Sequence, residues 1–495
     1  MSILCSFPYF TVFIAMVPAI IMSCIRKDKV CYFITLISSL IISLMSAAFL
    51  IYIVRENTSF AFTMGKFPAP FGNEIKAGPL QAVFATCFSL VMFLAVLGGK
   101  DDLEMDVTPG KMGLACVMMN MVLASLLVLV YTNDIFTGYV FIEISTIAAC
   151  ALVMVKDSGE TLVATIRYLF MSLLGSGLFL FGIIILYGIT GHLLMPQLNE
   201  TIGKLAASGE YKVPLFVCAA MIVAGLGIKS AMYPFHRWLP GAHGTATTTS
   251  SAVLSGLVLK GYAVLIITLF VRVFSLDVIR SLGVNNVVFV LGILGMIMGS
   301  VYAMKEGHAK RMLAYSSVAQ LGYVFMGIGL ATPAGIAAAS YQILAHAFVK
   351  PLLFLSVGRL ADVTHHNKQL SALKGSAWRA PLAGLAFVIG GLSMIGIPLL
   401  AGFSSKLNFA LAEFDTPWET VLILGGLAVS SLLNALYYIP AIISIWSDNE
   451  GGTDFESGRS ASFTAAALVL IACVFLLGIF FKPVMGVIEA GIGLM

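Results

Sequence analysis

Charge is what this sequence has least of. Of its 495 residues only 11% are Asp, Glu, Lys or Arg, while 59% are hydrophobic. A soluble domain carries about 25% charged residues, so this chain cannot cover a water-facing surface. The signatures of nucleotide and redox chemistry are also missing. There is no Walker-type phosphate loop, no C-x-x-C pair and no G-x-G-x-x-G after a strand. Gly225 and Gly227 of GLGIKS read as close helix packing instead. The eight cysteines (Cys5, Cys24, Cys31, Cys87, Cys116, Cys150, Cys218 and Cys473) lie mostly in apolar runs and read as small buried hydrophobes. No cofactor and no resident metal are therefore expected. A metal at the His365–His366 pair is the weaker reading beside an ordinary solvated loop.

What the sequence has in abundance is long apolar runs. Fourteen are readable, near 7–25, 30–54, 79–98, 112–131, 133–155, 162–188, 213–235, 248–274, 286–304, 311–330, 333–358, 382–412, 417–446 and 462–481. A spanning helix needs about 20 such residues, so the expected fold is an all-α, polytopic membrane protein of about fourteen spans with no sizeable soluble domain. Basic residues follow the first run rather than preceding it, the reverse of a secretory signal. With the N-terminus outside, inner loops hold fifteen basic residues, Lys310 and Arg459 among them, and outer loops hold eight. That asymmetry obeys the positive-inside rule and predicts both termini outside. Net charge is +4, and the basic residues follow topology instead of forming a nucleic-acid patch.

Five basic residues fall inside runs: Arg167, Lys229, Lys260, Lys350 and Lys406. Glu143 lies in the middle of its own run, and His346 shares a helix face with Lys350 four residues on. Ionisable groups in mid-membrane are costly and usually functional. Burial favours the neutral amine and a nearby carboxylate favours the ammonium, so such a lysine can exchange a proton. The bland alternative is snorkelling to the interface, an even choice for Arg167 and the weaker one for Lys229, Lys260 and Lys406, which apolar residues flank on both sides. Pro234 follows Lys229, and Pro398 precedes Lys406 in a glycine-rich stretch. Two interrupted helices, each beside a lysine, are the pattern of an inverted-repeat transporter. The acidic stretches Asp101, Asp102, Glu104, Asp106 and Asp448, Glu450, Asp454, Glu456 lack metal or acid–base spacing. They read as solvated charge, which weakens the alternative of a lipid-modifying enzyme. A passive scaffold would need no ionisable residue in mid-span.

The stretch GIKSAMYPFHRWLPGAHGTATTTSSAVLSGLVLKGY resembles a signature of the antiporter-like family shared by Mrp-type cation/proton antiporters, respiratory complex I and membrane-bound energy-converting hydrogenases. AKRMLAYSSVAQLGYVFMGIGL, LAHAFVKPLLFLSVG and SMIGIPLLAGFSSK resemble three more, and the likeness covers about residues 60–445. The resemblance implies fourteen helices with two inverted five-helix repeats, near 112–274 and 286–446, flanked by an N-terminal unit 1–111 and a C-terminal helix within 447–495. It implies that Glu143, Lys229, Lys260, His346, Lys350 and Lys406 form a hydrated proton-transfer axis. It further implies partners: other membrane subunits, among them a homologous antiporter-like subunit, with protons and Na+ as cargo. The chain's length and GKFPAPFGNEI favour the D subunit of Mrp antiporters, and about a dozen residues after the last span leave no lateral helix. Thr247 and Thr249 replace family prolines and Gly241 a family aspartate. The run from Thr245 to Ser251 reads as a helix cap, or as hydroxyls lining an access route with His236 and His243.

Overall fold

The computed structural model describes the chain except residues 1–2, 26, 64, 66, 68–71, 109, 413–416 and 449–459. Arg26, Lys66 and Arg459 of the charge pattern, Glu450, Asp454 and Glu456 of the acidic stretch, and part of GKFPAPFGNEI lie outside the described residues.

The chain opens with α1 (Phe7–Ser23) and α2 (Asp28–Glu56), then a hairpin of antiparallel strands β1 (Phe60–Thr63) and β2 (Glu74–Ala77). Next come α3 (Pro79–Gly98), the short α4 (Lys100–Asp106), α5 (Met112–Tyr131), α6 (Ile135–Met154) and α7 (Gly159–Thr190). A surface helix, α8 (Met195–Ser208), precedes α9 (Lys212–Lys229) and α10 (Leu239–Thr245). The eighth span is composite. It joins α11 (Thr248–Val253), a π-helical turn at Leu254–Val258, α12 (Leu259–Leu269) and a second π turn at Phe270–Phe274. After α13 (Leu276–Leu282) come α14 (Val284–Met304), α15 (Ala309–Gly329) and α16 (Pro333–Asp362). The chain continues through α17 (Pro381–Ile395), α18 (Ala401–Leu411), α19 (Pro417–Trp446), α20 (Ala461–Ile479) and α21 (Phe481–Gly493).

Among the described residues, thirteen helices are long and apolar enough to cross a bilayer. The remaining run, 382–412, is the pair α17 and α18: two half-helices, each too short alone, separated at Gly396–Leu400. The protein is an integral multi-pass membrane protein. The eighth span, α15 and α16 are buried nearly all round and form the centre, whereas α1, α2, α7, α19 and α20 turn apolar stripes outward. That division separates helices that meet protein from helices that meet lipid. Close backbone approach sets where α9 sits. A Cβ on Gly225 would stand 2.5 Å from the Gly175 carbonyl oxygen on α7, so only glycine permits this crossing.

Each end of the bundle is tied by polar contacts among loops. On the face of the hairpin, Asn133 donates to Glu74 through side chain (2.8 Å) and backbone (2.9 Å), and the buried Arg272 donates to Asn133. On the opposite face, Lys156 and Lys368 meet Asp106 at 3.0 and 3.6 Å. Asp102 of α4 accepts from the Thr249 amide (2.9 Å) and hydroxyl (3.0 Å), and Thr247 accepts from the Ser250 amide at 3.0 Å. The threonine run is thus a cap, completed by a carboxylate from a distant helix. Lys310, read from sequence as a loop cation, is fully buried in the first turn of α15 and donates to the Ala246 and Thr247 carbonyls. Arg167 is exposed on the lipid-facing side of α7.

The same face contains a pH-sensitive group. His308 precedes α15, and burial, followed by Lys310, Arg311 and Lys368, lowers its pKa to about 4. The unfolded chain binds that proton near pH 6.5 and the folded one does not, so stability is full above pH 6.5 and falls as pH drops toward 4. The melting temperature in detergent should decline over that window, and His308→Asn should flatten the decline.

Candidate functional site

The six ionisable residues singled out in the runs sit on five elements. Glu143 is on α6, Lys229 ends α9, Lys260 opens α12, His346 and Lys350 stand on α16, and Lys406 is on α18. Lys229, Lys260, His346 and Lys350 are each 0% exposed. None of the three lysines among them snorkels.

At one end, the Lys229 ammonium donates to Glu143 at 3.1 Å and to the Thr146 hydroxyl, one turn along α6, at 2.7 Å. Ser176 of α7 donates to the same carboxylate oxygen. The Lys229 ammonium also stands 5.9 Å from the centre of the Tyr262 ring on α12. The two partners differ in burial: the Lys229 side chain is fully enclosed, while that of Glu143 is 25% exposed. Glu143 lies at the edge of an outward stripe on α6 that includes Phe136, Val140 and Ile147.

The other lysines have no carboxylate at ion-pair distance among the described residues. Lys260 donates to the Ser255 carbonyl in the π turn that precedes it. Lys350 donates to the Leu313 carbonyl of α15 at 2.8 Å and is followed by Pro351, which cannot return a backbone hydrogen bond. Lys406 donates to the Ile395 carbonyl at 2.6 Å, to Met394 at 3.2 Å and to the Ser431 hydroxyl at 2.8 Å. Those two carbonyls close the half-helix α17, and Gly396 beyond them has φ +101°. The lysine at the break therefore meets the negative end of a helix dipole, as does Lys229 at the last residue of α9. Lys406 also stands 5.5 Å from the Tyr323 ring centre.

Among the described residues neither His346 ring nitrogen has a hydrogen-bond partner. It lies within electrostatic reach of Lys260 and Lys350. Gln342, His346 and Lys350 recur every fourth residue of α16 and so share a face. Gln342 donates to Gln320 of α15 at 2.8 Å and accepts from Ser405 at 2.5 Å, the residue before Lys406. Sequence reading missed Gln342, Gln320 and Ser405. The four-residue spacing before His346 marks Gln342, whereas the other two are brought in only by packing.

The structure gives the remaining candidates other surroundings. His236 stacks between Tyr233 and Tyr302, each at 5.4 Å, and His243 lies on Phe354 at 5.0 Å. His366 faces Asp362 at 3.5 Å. Among the described residues, no group of three or more His, Cys, Asp or Glu could hold a metal ion.

Chemically, this is a row of amines and one imidazole that share hydroxyl, amide and carbonyl oxygens across the middle of the bundle. Such groups can pass protons through water and can be biased by charge at the Glu143 end.

Residues 132–432 match the family described as NADH:quinone oxidoreductase/Mrp antiporter, TM. The chain is similar to NADH-quinone oxidoreductase subunit N of Desulforudis audaxviator, 34% identical over 76% of this chain and 73% of that one. It is also similar to a Na(+)/H(+) antiporter subunit of Alkalihalophilus pseudofirmus, 28% identical over 71% and 70%. In structure it resembles a chain of the archaeal membrane-bound sulfane sulfur reductase, with TM-score 0.84, 25% identity and 99% and 96% coverage. A chain of the Mrp complex from Dietzia sp. DQ12-45-1b has the same fold, with TM-score 0.84, 21% identity and 100% and 97% coverage.

Removal of the Thr146 hydroxyl isolates one contact of the ion pair. Thr146→Val should cost about 1.5–3 kcal/mol, the usual size for a hydrogen bond to a charged group. Thermal unfolding in detergent should show it as a lowered midpoint. Ser145→Ala, which loses only a 3.3 Å contact with Tyr262, should shift the midpoint less.

Proposed function

We propose, from the premise that this chain belongs to the NADH:quinone oxidoreductase/Mrp antiporter family, that it is an ion-translocating membrane subunit. The family match spans well over half of the chain. In this reading the protein moves protons, coupled to Na+ or another cation, as part of a multisubunit Mrp-type cation/proton antiporter in the cell membrane. Its termini lie outside, and a homologous antiporter-like subunit is one of its neighbours. Residues 112–274 and 286–446 act as two inverted five-helix units, each supplying one interrupted helix with a lysine at the break.

The observation that carries this reading is the Glu143–Lys229 contact at 3.1 Å inside the spans. Breaking such a pair costs about 3–5 kcal/mol. The partly exposed carboxylate gives a neighbouring subunit access to the pair. Charge brought near Glu143 weakens its hold on the ammonium and lets Lys229 release its proton. The proton passes through water toward Lys260, His346 and Lys350, and then by the Gln342–Gln320–Ser405 group to Lys406.

A second reading keeps the same axis but drives it by electron transfer elsewhere in the assembly. The chain is then an antiporter-like proton- or sodium-pumping subunit of a complex I-like oxidoreductase or an energy-converting hydrogenase. The 34% identity to a subunit N supports this reading. Transport into vesicles distinguishes the two: the first responds to an imposed Na+ or pH gradient alone, and the second needs a reductant.

Glu143→Gln and Lys229→Ala should each abolish proton-coupled transport while the complex still assembles. Fluorescence of a pH-sensitive dye in vesicles measures this. Normal signals in both variants would remove the pair from the mechanism.

A further inference from the structure

Away from the axis, the wall of the bundle contains an apolar cleft of about 480 Å³ bounded by α2, α3, α16, α20 and α21. Its length follows from α3. Val83 and Leu90 line it, so it runs about 10 Å along the helix at about 1.5 Å per residue. That is about a third of the ~30 Å hydrocarbon core and fits within one leaflet. Leu344 and Phe348 form its inner wall, two residues to either side of His346 on α16.

The cleft offers nothing polar along its length. Thr86 lines it, but its hydroxyl is satisfied by the Ala82 carbonyl at 2.7 Å. The exception stands at one end. Arg55, in the last turn of α2, is the sole charged lining residue, and it has no ion pair or hydrogen bond among the described residues. Glu56 follows it but does not line the cleft. Val487 of α21 closes the same end, and α21 is fastened there by the Ser59 hydroxyl, which donates to the Leu494 carbonyl at 3.2 Å.

We infer that this cleft is a binding site for one membrane phospholipid, with an acyl chain along α3 and α16 and the headgroup phosphate on Arg55. An apolar slot contained within one leaflet, with an unpaired guanidinium at its mouth, matches the apolar tail and anionic head of that amphiphile. Four of its five walls, α2, α3, α16 and α20, are spanning helices, so the slot lies at the hydrocarbon level of the bundle. The bound chain completes the hydrocarbon wall on the face of α16 opposite His346 and Lys350.

The test uses the full complex in nanodiscs containing a phospholipid with a photoactivatable diazirine near the end of its acyl chain. After illumination, adducts should concentrate on the segments Val83–Leu90 and Leu344–Phe348, above the level on the outward face of α7 at Phe170 and Phe181. Arg55→Gln should lower cleft labelling about fivefold, the effect of one basic residue near the membrane surface. Leu90→Trp should fill the slot and remove the labelling, with α7 unchanged. Arg55→Gln alters only a surface residue, so it decides the matter even if Leu90→Trp misfolds. Labelling equal to that of α7 and indifferent to Arg55→Gln would overturn the site. So would absent labelling because another subunit fills the cleft. The readout is independent of transport, so its failure would leave the proton axis untouched.

Discussion

A buried ammonium needs oxygen around it, and a regular helix has none to spare because every carbonyl is used in its own ladder. Each lysine of the row stands beside a helix end, π turn or proline, although Lys350 takes its oxygen from the Leu313 carbonyl within α15 and Lys229 from side chains of α6. Lys229 ends α9, Lys260 follows a π turn, Lys350 precedes Pro351, and Lys406 reaches back to the open end of α17. Departures from the regular helix and the amines are one feature. Irregular backbone at this depth is tolerated where it is buried in protein or lines a wet cavity, and here the amines occupy the protein interior that tolerates it.

The charge on this row is not evenly balanced. Among the described residues only Lys229 of the row has a carboxylate at ion-pair distance, and that carboxylate is the more exposed member of the pair. The others rely on carbonyls, hydroxyls and side-chain amides, which hold a proton less firmly than an anion does. A perturbation at Glu143 therefore acts on the one site where an anion sets the occupancy. In the proposed mechanism it passes from there to groups that neutral oxygens hold, and this asymmetry would give the row a direction.

The loops keep the spans in the register that the row requires. Asp102, far along the chain from the eighth span, caps that span's first turn, and Lys310 closes the end of α10. These contacts fix the start of the segment that carries Lys260 and the loop that follows the break beyond Lys229. That face of the bundle is thus a clamp made of charges, while the interior relies on glycine contacts such as Gly175 against Gly225.

Much of this was legible in the residues. Apolar run length gave the spans, because a bilayer imposes a fixed thickness on any helix that crosses it. Ionisable residues amid those runs marked Glu143, Lys229, Lys260, His346, Lys350 and Lys406, since their cost in hydrocarbon makes them conspicuous. Other features were invisible because they depend on contacts between distant segments. Sequence could not show that Lys310 turns inward while the adjacent Arg311 stays exposed, nor that Ser405 meets Gln342. It also could not show which lysine would find the single acid. Composition and periodicity determined that this chain spans a membrane and where its protonatable groups lie along it. Only the packing of helices far apart in sequence decided which oxygens those groups meet, because a hydrogen bond is set by position in space.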